Sequence, residues 1–326
     1  MKKLTICTYA LVRGYIKIKD YKSLIKRNRL IRNNIEIKKH KIDHILFHEG
    51  NIKRSHQAYI KKKFNLKIKF INLKKILFNF KSKDKILHLK SKTSDDTLGY
   101  KYMCMFHTYL SFQYLKKYDF CMRIDEDIFI HSKINDEFYD YIYKKKLKNI
   151  FYRKKFEYHD VTNRTLYNYV NRYYKKRKYI VDLYNKENAL PNFSTSFTIF
   201  NPAIFLKKKI HGFLKKIYYS NNIIKYRWGD HTLQGLALIL FTNSNSWGHL
   251  KDIKLLHGSQ YYVPTKRSQN FEAWTYKCKQ LNFDKKYKNF SYEFFFYTYL
   301  YGIIQFIKKN KLFLKYIRYL KAKLEK

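Results

Sequence analysis

Along the first 130 residues the apolar positions change rhythm repeatedly. "KLTICTYALV" (3–12) is rich in β-formers and nearly continuous in apolar residues, as a buried strand is. "DYKSLIKRNRLIRNNIEIKKH" (20–40) spaces its apolar residues at helical intervals, with Asp20 placed to cap the start. "DHILFHEG" (43–50) predicts a second strand ending in acid and glycine, "HQAYIKKKF" (56–64) a helix, and "LKIKFINL" (66–73) a third strand. After a polar stretch, "KSKTSDDTLG", a long helical pattern, "YKYMCMFHTYLSFQYLKKY" (100–118), runs straight into "DFCMRIDEDIFI" (119–130). This last segment reads as one strand carrying acids towards its carboxyl end. Such alternation predicts an α/β fold, a mostly parallel central sheet flanked by helices. Ligands in such sheets bind at the carboxyl ends of the strands, where "FHEG" and "IDED" fall.

Further on the rhythm is less regular. Residues 137–179, dense in Tyr, Lys and Arg, read as helices and a lid-like excursion. "NFSTSFTIFNPAIF" (192–205) reads as a further strand, "WGDHTLQGLALILF" (228–241) as a helix starting at Gly-Asp, and "IKLLHGSQYY" (253–262) as a last strand or loop. These pieces predict one domain over 1–290. The tail, 291–326, is basic, strongly apolar and helical in pattern, with a weak point at Gly302. It suits either a terminal helix docked on the body or a helix lying on anionic lipid.

Composition narrows the class. With 326 residues and 45% apolar content the chain can bury a full core, which excludes a disordered chain. Three Pro and nine Gly exclude collagen-like sequence. The formal charge of +46 would attract any polyanion. Only 13 of the 70 basic residues are Arg, however, and the accompanying Ile, Asn, Tyr and Phe share AT-rich codons. Low Arg and the lack of a recognisable nucleic-acid module count against nucleic acid as the partner. Cys7, Cys104, Cys121 and Cys278 form no CxxC pair, so neither a zinc knuckle nor a disulfide framework is indicated; Cys104 and Cys121 read as core thiols. The start, "MKKLTICTYALVRG", mimics a signal peptide but lacks a small-residue cleavage site, and no run is long enough to span a bilayer cleanly. A cytoplasmic protein, with peripheral contact to an anionic membrane through the tail, is the expectation.

Against this basic background stands the triplet Asp125-Glu126-Asp127. In an extended strand Asp125 and Asp127 would point to one side, where two carboxylates can hold Mn²⁺ or Mg²⁺ against a diphosphate. Asp230, at the start of a helix, is favoured there by the helix dipole. His257, between an apolar run and a glycine, is either structural or the ligand that completes a metal's coordination.

Together, "GYKYMCMFHTYL", "KYDFCMRIDEDIFI", "NFSTSFTIFNPAIF", "YRWGDHTLQGLALILF" and "DIKLLHGSQYY" resemble, in order, the blocks of the fungal α-1,2-mannosyltransferases, glycosyltransferase family 15. The Arg-Trp-Gly-Asp block with its downstream His is the most specific part. The resemblance implies a GT-A fold, a GDP-mannose donor, Mn²⁺ and retention at the anomeric carbon. By position, Asp125 and Asp127 match the family's acidic motif, Tyr100 its donor-side Tyr, Asp230 the Asp after Trp-Gly, and His257 the metal-linked His. Arg123 and Arg227 are candidates to add charge at the donor. Three positions depart: Glu126 replaces Pro, Met105 stands where Arg is usual, and Thr198 falls where the family has a Glu proposed as nucleophile. A threonine cannot form a glycosyl-enzyme as a carboxylate does, whereas a front-face route assisted by the donor phosphate needs no such carboxylate. The function expected is metal-dependent transfer of a sugar from a nucleotide sugar to a hydroxyl on a glycan or glycolipid. The alternatives are a basic nucleic-acid-binding protein and a metal-dependent phosphotransferase or nuclease using the same acids.

Overall fold

The structure is a computed structural model and describes residues 2–77, 97–152, 154–157, 159–173, 184, 187–250, 253–257, 260–262 and 273–274. In chain order its strands are β1 (Thr5–Val12), β2 (Ile35–Glu36), β3 (Lys41–His48), β4 (Ile68–Asn72), β5 (Phe120–Ile124), β6 (Ile128–Ile130), β7 (Ile134–Asn135), β8 (Asn149–Phe151), β9 (Lys154–Glu157), β10 (Leu190–Phe193), β11 (Phe197–Phe200), β12 (Trp247–His249), β13 (Leu255–His257), β14 (Gln260–Tyr262) and β15 (Ala273–Trp274). The principal helices are α1 (Lys22–Asn34) and α2 (Arg54–Phe64), followed by α3. The rod α3 joins Leu98–Met105 to Ser111–Leu115 through a π-helical turn at Phe106–Leu110. Then come α4 (Asp136–Lys144), α5 (Asp160–Tyr173), α6 (Lys208–Tyr219), α7 (Asn222–Tyr226) and α8 (Asp230–Phe241).

Seven strands form the central sheet in the order β12-β8-β11-β5-β1-β3-β4. β1 is parallel to β3 and β5, β3 to β4, and β12 to β8; β11 alone runs antiparallel to its neighbours β5 and β8. Alternation along β5 divides the core. Phe120, Met122 and Ile124 face the layer that contains Leu24 and Ile31 of α1, Ile60 of α2 and Tyr139 of α4. Cys121 faces the opposite layer, with Tyr102 and Phe112 of α3, Leu166 of α5, Phe213 of α6 and Leu233 of α8. The helices do cover both faces of a mostly parallel sheet, and Cys104 and Cys121 are buried thiols. A second sheet, β15-β14-β13-β6, is antiparallel throughout and grows from the segment after the acidic triplet.

Four local expectations are corrected. Asp20 does not cap α1: it lies in a 3₁₀ turn, Ile18–Tyr21, and the cap position is Tyr21 with no side-chain bond. Residues 119–130 are two strands, since the chain turns at Asp125–Asp127, where the Ile128 N–H donates to the Asp125 carbonyl at 3.1 Å. Residues 192–205 are likewise split, with β10 and β11 in different sheets. Residues 137–179 do not simply leave the body, because β8 within them is a strand of the central sheet. The tail 291–326 lies outside the described residues. Among those described, no helix is long and apolar enough to cross a membrane.

Candidate active site

β5 places Arg123 on the same face as Cys121, pointing towards α3 and α8, where only 2% of it is exposed. A buried guanidinium demands anionic partners, and Arg123 has two. Nε and Nη2 donate to Asp125 Oδ1 and Oδ2 at 2.8 and 3.0 Å, a bidentate pair, while Nη1 donates to Asp230 Oδ2 at 2.5 Å. Thr195 Oγ1 donates to the same Asp230 oxygen at 2.9 Å. Asp230 is the first residue of α8, just inside the cap position held by Gly229, and its carboxylate points into this network. Burial is the largest influence and alone would raise its pKa, but Arg123, with His107 and His231 adding to it, outweighs burial and holds the carboxyl well below the ordinary carboxylate range. For Asp125 the balance is upward: partial loss of water raises it, and Arg123 only offsets this.

The turn sends the three acids to three partners. Asp125 goes to Arg123. Glu126 accepts from the Arg13 N–H at 3.2 Å and from the Tyr15 hydroxyl at 3.0 Å, tying the triplet to the loop after β1. Asp127 faces His257, with Oδ2 3.8 Å from Nε2. That proximity follows from register, because β13 pairs with β6 so that His257 lies opposite Ile128, the neighbour of Asp127. The expectation that Asp125 and Asp127 project side by side from an extended strand is therefore not met. Beneath them Arg27, buried in α1, donates Nε and Nη2 to the Ile124 carbonyl at 3.1 and 2.7 Å and holds the end of β5 in place.

Arg227 lies across Tyr100, its guanidinium carbon 4.8 Å from the ring centroid. Its backbone is left-handed at φ 59°, a conformation that costs a non-glycine residue about 1–3 kcal/mol. The Thr162 hydroxyl braces it by donating to the Arg227 carbonyl at 2.8 Å. Thr198 shares the Arg123 face of the sheet, directly across from it in β11, but its buried hydroxyl donates to the Ile150 carbonyl at 3.0 Å. That hydroxyl belongs to the sheet. Sequence reading missed Thr195, hidden in a run taken for continuous strand, and the buried His107, whose imidazole adjoins Arg123 and Asp230 and whose Nδ1 is unsatisfied. It also missed a pair beside Asp230: Glu157 Oε2 lies 3.2 Å from His231 Nε2.

The donors present suit a divalent ion. Carboxylate oxygen and imidazole nitrogen are ordinary ligands for Mn²⁺-type ions. Two donors each at about 2.1 Å from an ion span at most about 4.2 Å, which the 3.8 Å between Asp127 and His257 satisfies. Their side chains are 43% and 33% exposed, so the site is open on one side. Among the described residues no three His, Cys, Asp or Glu converge into a closed cage. A two-donor open site leaves coordination positions for phosphate and water, as in nucleotide-binding metal sites. Asp125, with both oxygens on Arg123, supports the network rather than this pair.

No family model matches the chain. Over 175 residues it is 28% identical to the probable mannosyltransferase MNT3 of Candida albicans, a match covering 51% of this chain and 44% of that protein. The chain thus spans under half the length of that relative. Among solved structures, core-mannan synthase A (CmsA/Ktr4) from Aspergillus fumigatus, in a Mn/GDP form, superposes with a TM-score of 0.66 at 14% identity, covering 81% of this chain and 77% of that one. The mannosyltransferase Ktr4p from S. cerevisiae in complex with GDP gives 0.63 at 15% identity, covering 81% and 73%. In sequence the chain is therefore similar to a fungal mannosyltransferase, and its fold is the GT-A-like fold of the solved mannosyltransferases that its motifs resemble.

Proposed function

We propose that the chain is a metal-dependent mannosyltransferase that takes GDP-mannose and passes the sugar, with retention, to a hydroxyl on a glycan or glycolipid. The observation that carries this reading is the Asp127–His257 pair beside the Asp125–Arg123–Asp230 network, at the carboxyl edge of the parallel strands. Asp127 and His257 would hold Mn²⁺, which when bound supplies charge to stabilise the departing diphosphate. Arg227, stacked on Tyr100, adds a cation on the donor side. Asp230 stays ionised and fixed by Arg123 and Thr195, so it can orient a sugar hydroxyl without reorganising during the reaction. Thr198 supplies no carboxylate, and its hydroxyl is already engaged. Retention then follows from attack on the same face that the leaving group departs from.

A thermal-shift panel of GDP, UDP and their sugars, with and without Mn²⁺, tests the donor. A Mn²⁺-dependent shift selective for GDP is expected. A UDP-selective shift would keep the fold and overturn the sugar donor. GDP-mannose hydrolysis by Asp127→Ala and His257→Ala tests the site: each is expected to lose at least ~10–100-fold, the scale on which metal-site substitutions act. Full metal-dependent turnover in both would refute the assignment.

A further inference from the structure

Glu157 and His231 form a second polar unit that the donor-side roles do not use. Glu157 ends β9 with its side chain 7% exposed, and three contacts fix it there. Its carboxylate accepts from the His159 N–H at 2.9 Å and the Thr232 hydroxyl at 3.1 Å, and pairs with His231 Nε2 at 3.2 Å. These contacts outweigh burial, which alone would raise its pKa, and lower it to about 2. His231 directly follows Asp230 in α8, and its side chain is 25% exposed. Its ring folds back across Gly229: a Cβ there would stand 2.5 Å from Cε1 and 2.9 Å from Nδ1. The glycine of "WGDH" is thus the space the imidazole occupies.

With Nε2 engaged by the Glu157 carboxylate, Nδ1 is the ring's remaining polar atom. The ring is locked in orientation by Glu157 and by its seat on Gly229, and it stands next to a carboxylate assigned to sugar binding. We propose that His231 is an acceptor-binding residue, sharing a hydrogen bond at Nδ1 with a hydroxyl of a hexopyranoside acceptor, and that Glu157 is its positioning residue. This rests on the proposed function for the sugar's place beside Asp230, but not for the identity of the nucleotide.

The test is saturation-transfer NMR with methyl α-mannoside on the full chain, alongside the Mn²⁺-dependent GDP thermal shift. The wild type should show saturation. His231→Ala should lose most of it, Glu157→Leu should weaken it several-fold, and Glu157→Gln, whose amide oxygen can still accept from Nε2, should recover part. The GDP shift should be equal in all four proteins. Unchanged saturation in His231→Ala, no saturation in the wild type, or loss of the GDP shift in the variants would each overturn the proposal. A wild type that binds methyl α-mannoside through His231 but shows no GDP shift would sink the donor assignment and leave His231 standing.

Discussion

At the scale of the residue, the site turns on Arg123. It is one buried cation between two carboxylates, and removing it strands both. Arg123→Met should destabilise the fold by about 3–5 kcal/mol, the cost of breaking a buried charge network from one side, measured by urea denaturation. Asp127→Ala, which touches only a half-exposed pair, should stay within ~0.5 kcal/mol of wild type in the same experiment. Glu157 makes a pH prediction. Its folded pKa is about 2 against an ordinary 4.5, so its charge stabilises the fold above 4.5, and that contribution is lost as pH falls towards 2. The gap in melting temperature between wild type and Glu157→Gln should close across that interval; a constant gap would show that the charge contributes nothing. Asp127, Asp230 and His257 were legible as candidates because their acid or imidazole chemistry stands out against the local pattern. Thr195, His107 and Glu157 were not: a hydroxyl in a Ser/Thr run, a histidine in an apolar helix and one acid among lysines carry no local mark, and only tertiary folding brings the first two to Asp230 and the third to His231.

At the scale of the element, the strand–helix alternation of residues 2–77 and 97–115 was readable because each piece has a single period. Two breaks were not readable. The turn at Asp125–Asp127 and the bend between β10 and β11 both sit inside long apolar runs, where a buried strand and a strand with a kink look alike. The structure explains why they occur together: the Asp125 N–H donates to the Ser196 carbonyl at 3.0 Å, so one bend seats the other. The antiparallel course of β11 is what puts its amino end, and with it Thr195, at the carboxyl end of β5. The packing of α8 on β10 gives a further test. A Cβ at Gly235 would lie 3.2 Å from the Phe193 backbone nitrogen and 3.4 Å from Asn192 Cα, neighbours that cannot yield as side-chain tips do. Gly235→Leu should therefore cost at least ~1–3 kcal/mol by overpacking, despite leucine's better helix propensity; a denaturation midpoint unchanged or raised would contradict this close approach.

At the scale of the whole molecule, charge and chemistry separate. A chain at +46 will hold polyanions without specificity. Its binding to single-stranded RNA should fall by at least ~10-fold between 50 and 200 mM salt, and Asp127→Ala should leave that binding untouched. The proposed sugar transfer should show the converse, with mild salt dependence and loss on Asp127→Ala. Fluorescence anisotropy on the two proteins reads the first, and GDP release the second. If RNA affinity fell with Asp127→Ala, the acids and the basic surface would have to belong to one site. Composition alone exaggerated the surface and hid the site, since net charge records how many lysines there are, not where carboxylates are gathered.

The π turn at Phe106–Leu110 acts as a phase adjuster. Each residue added to a regular helix advances its bearing by about 100°, so the wider turn lets the two halves of α3 answer to different neighbours: Tyr100 to Arg227, and Phe112 to Phe205, with ring centroids 4.2 Å apart. Deleting one residue from this turn would leave a sound helix by circular dichroism. Yet it would swing the amino-terminal half away from Arg227, so on the proposed donor role of that pair GDP affinity would be lost where helicity is kept.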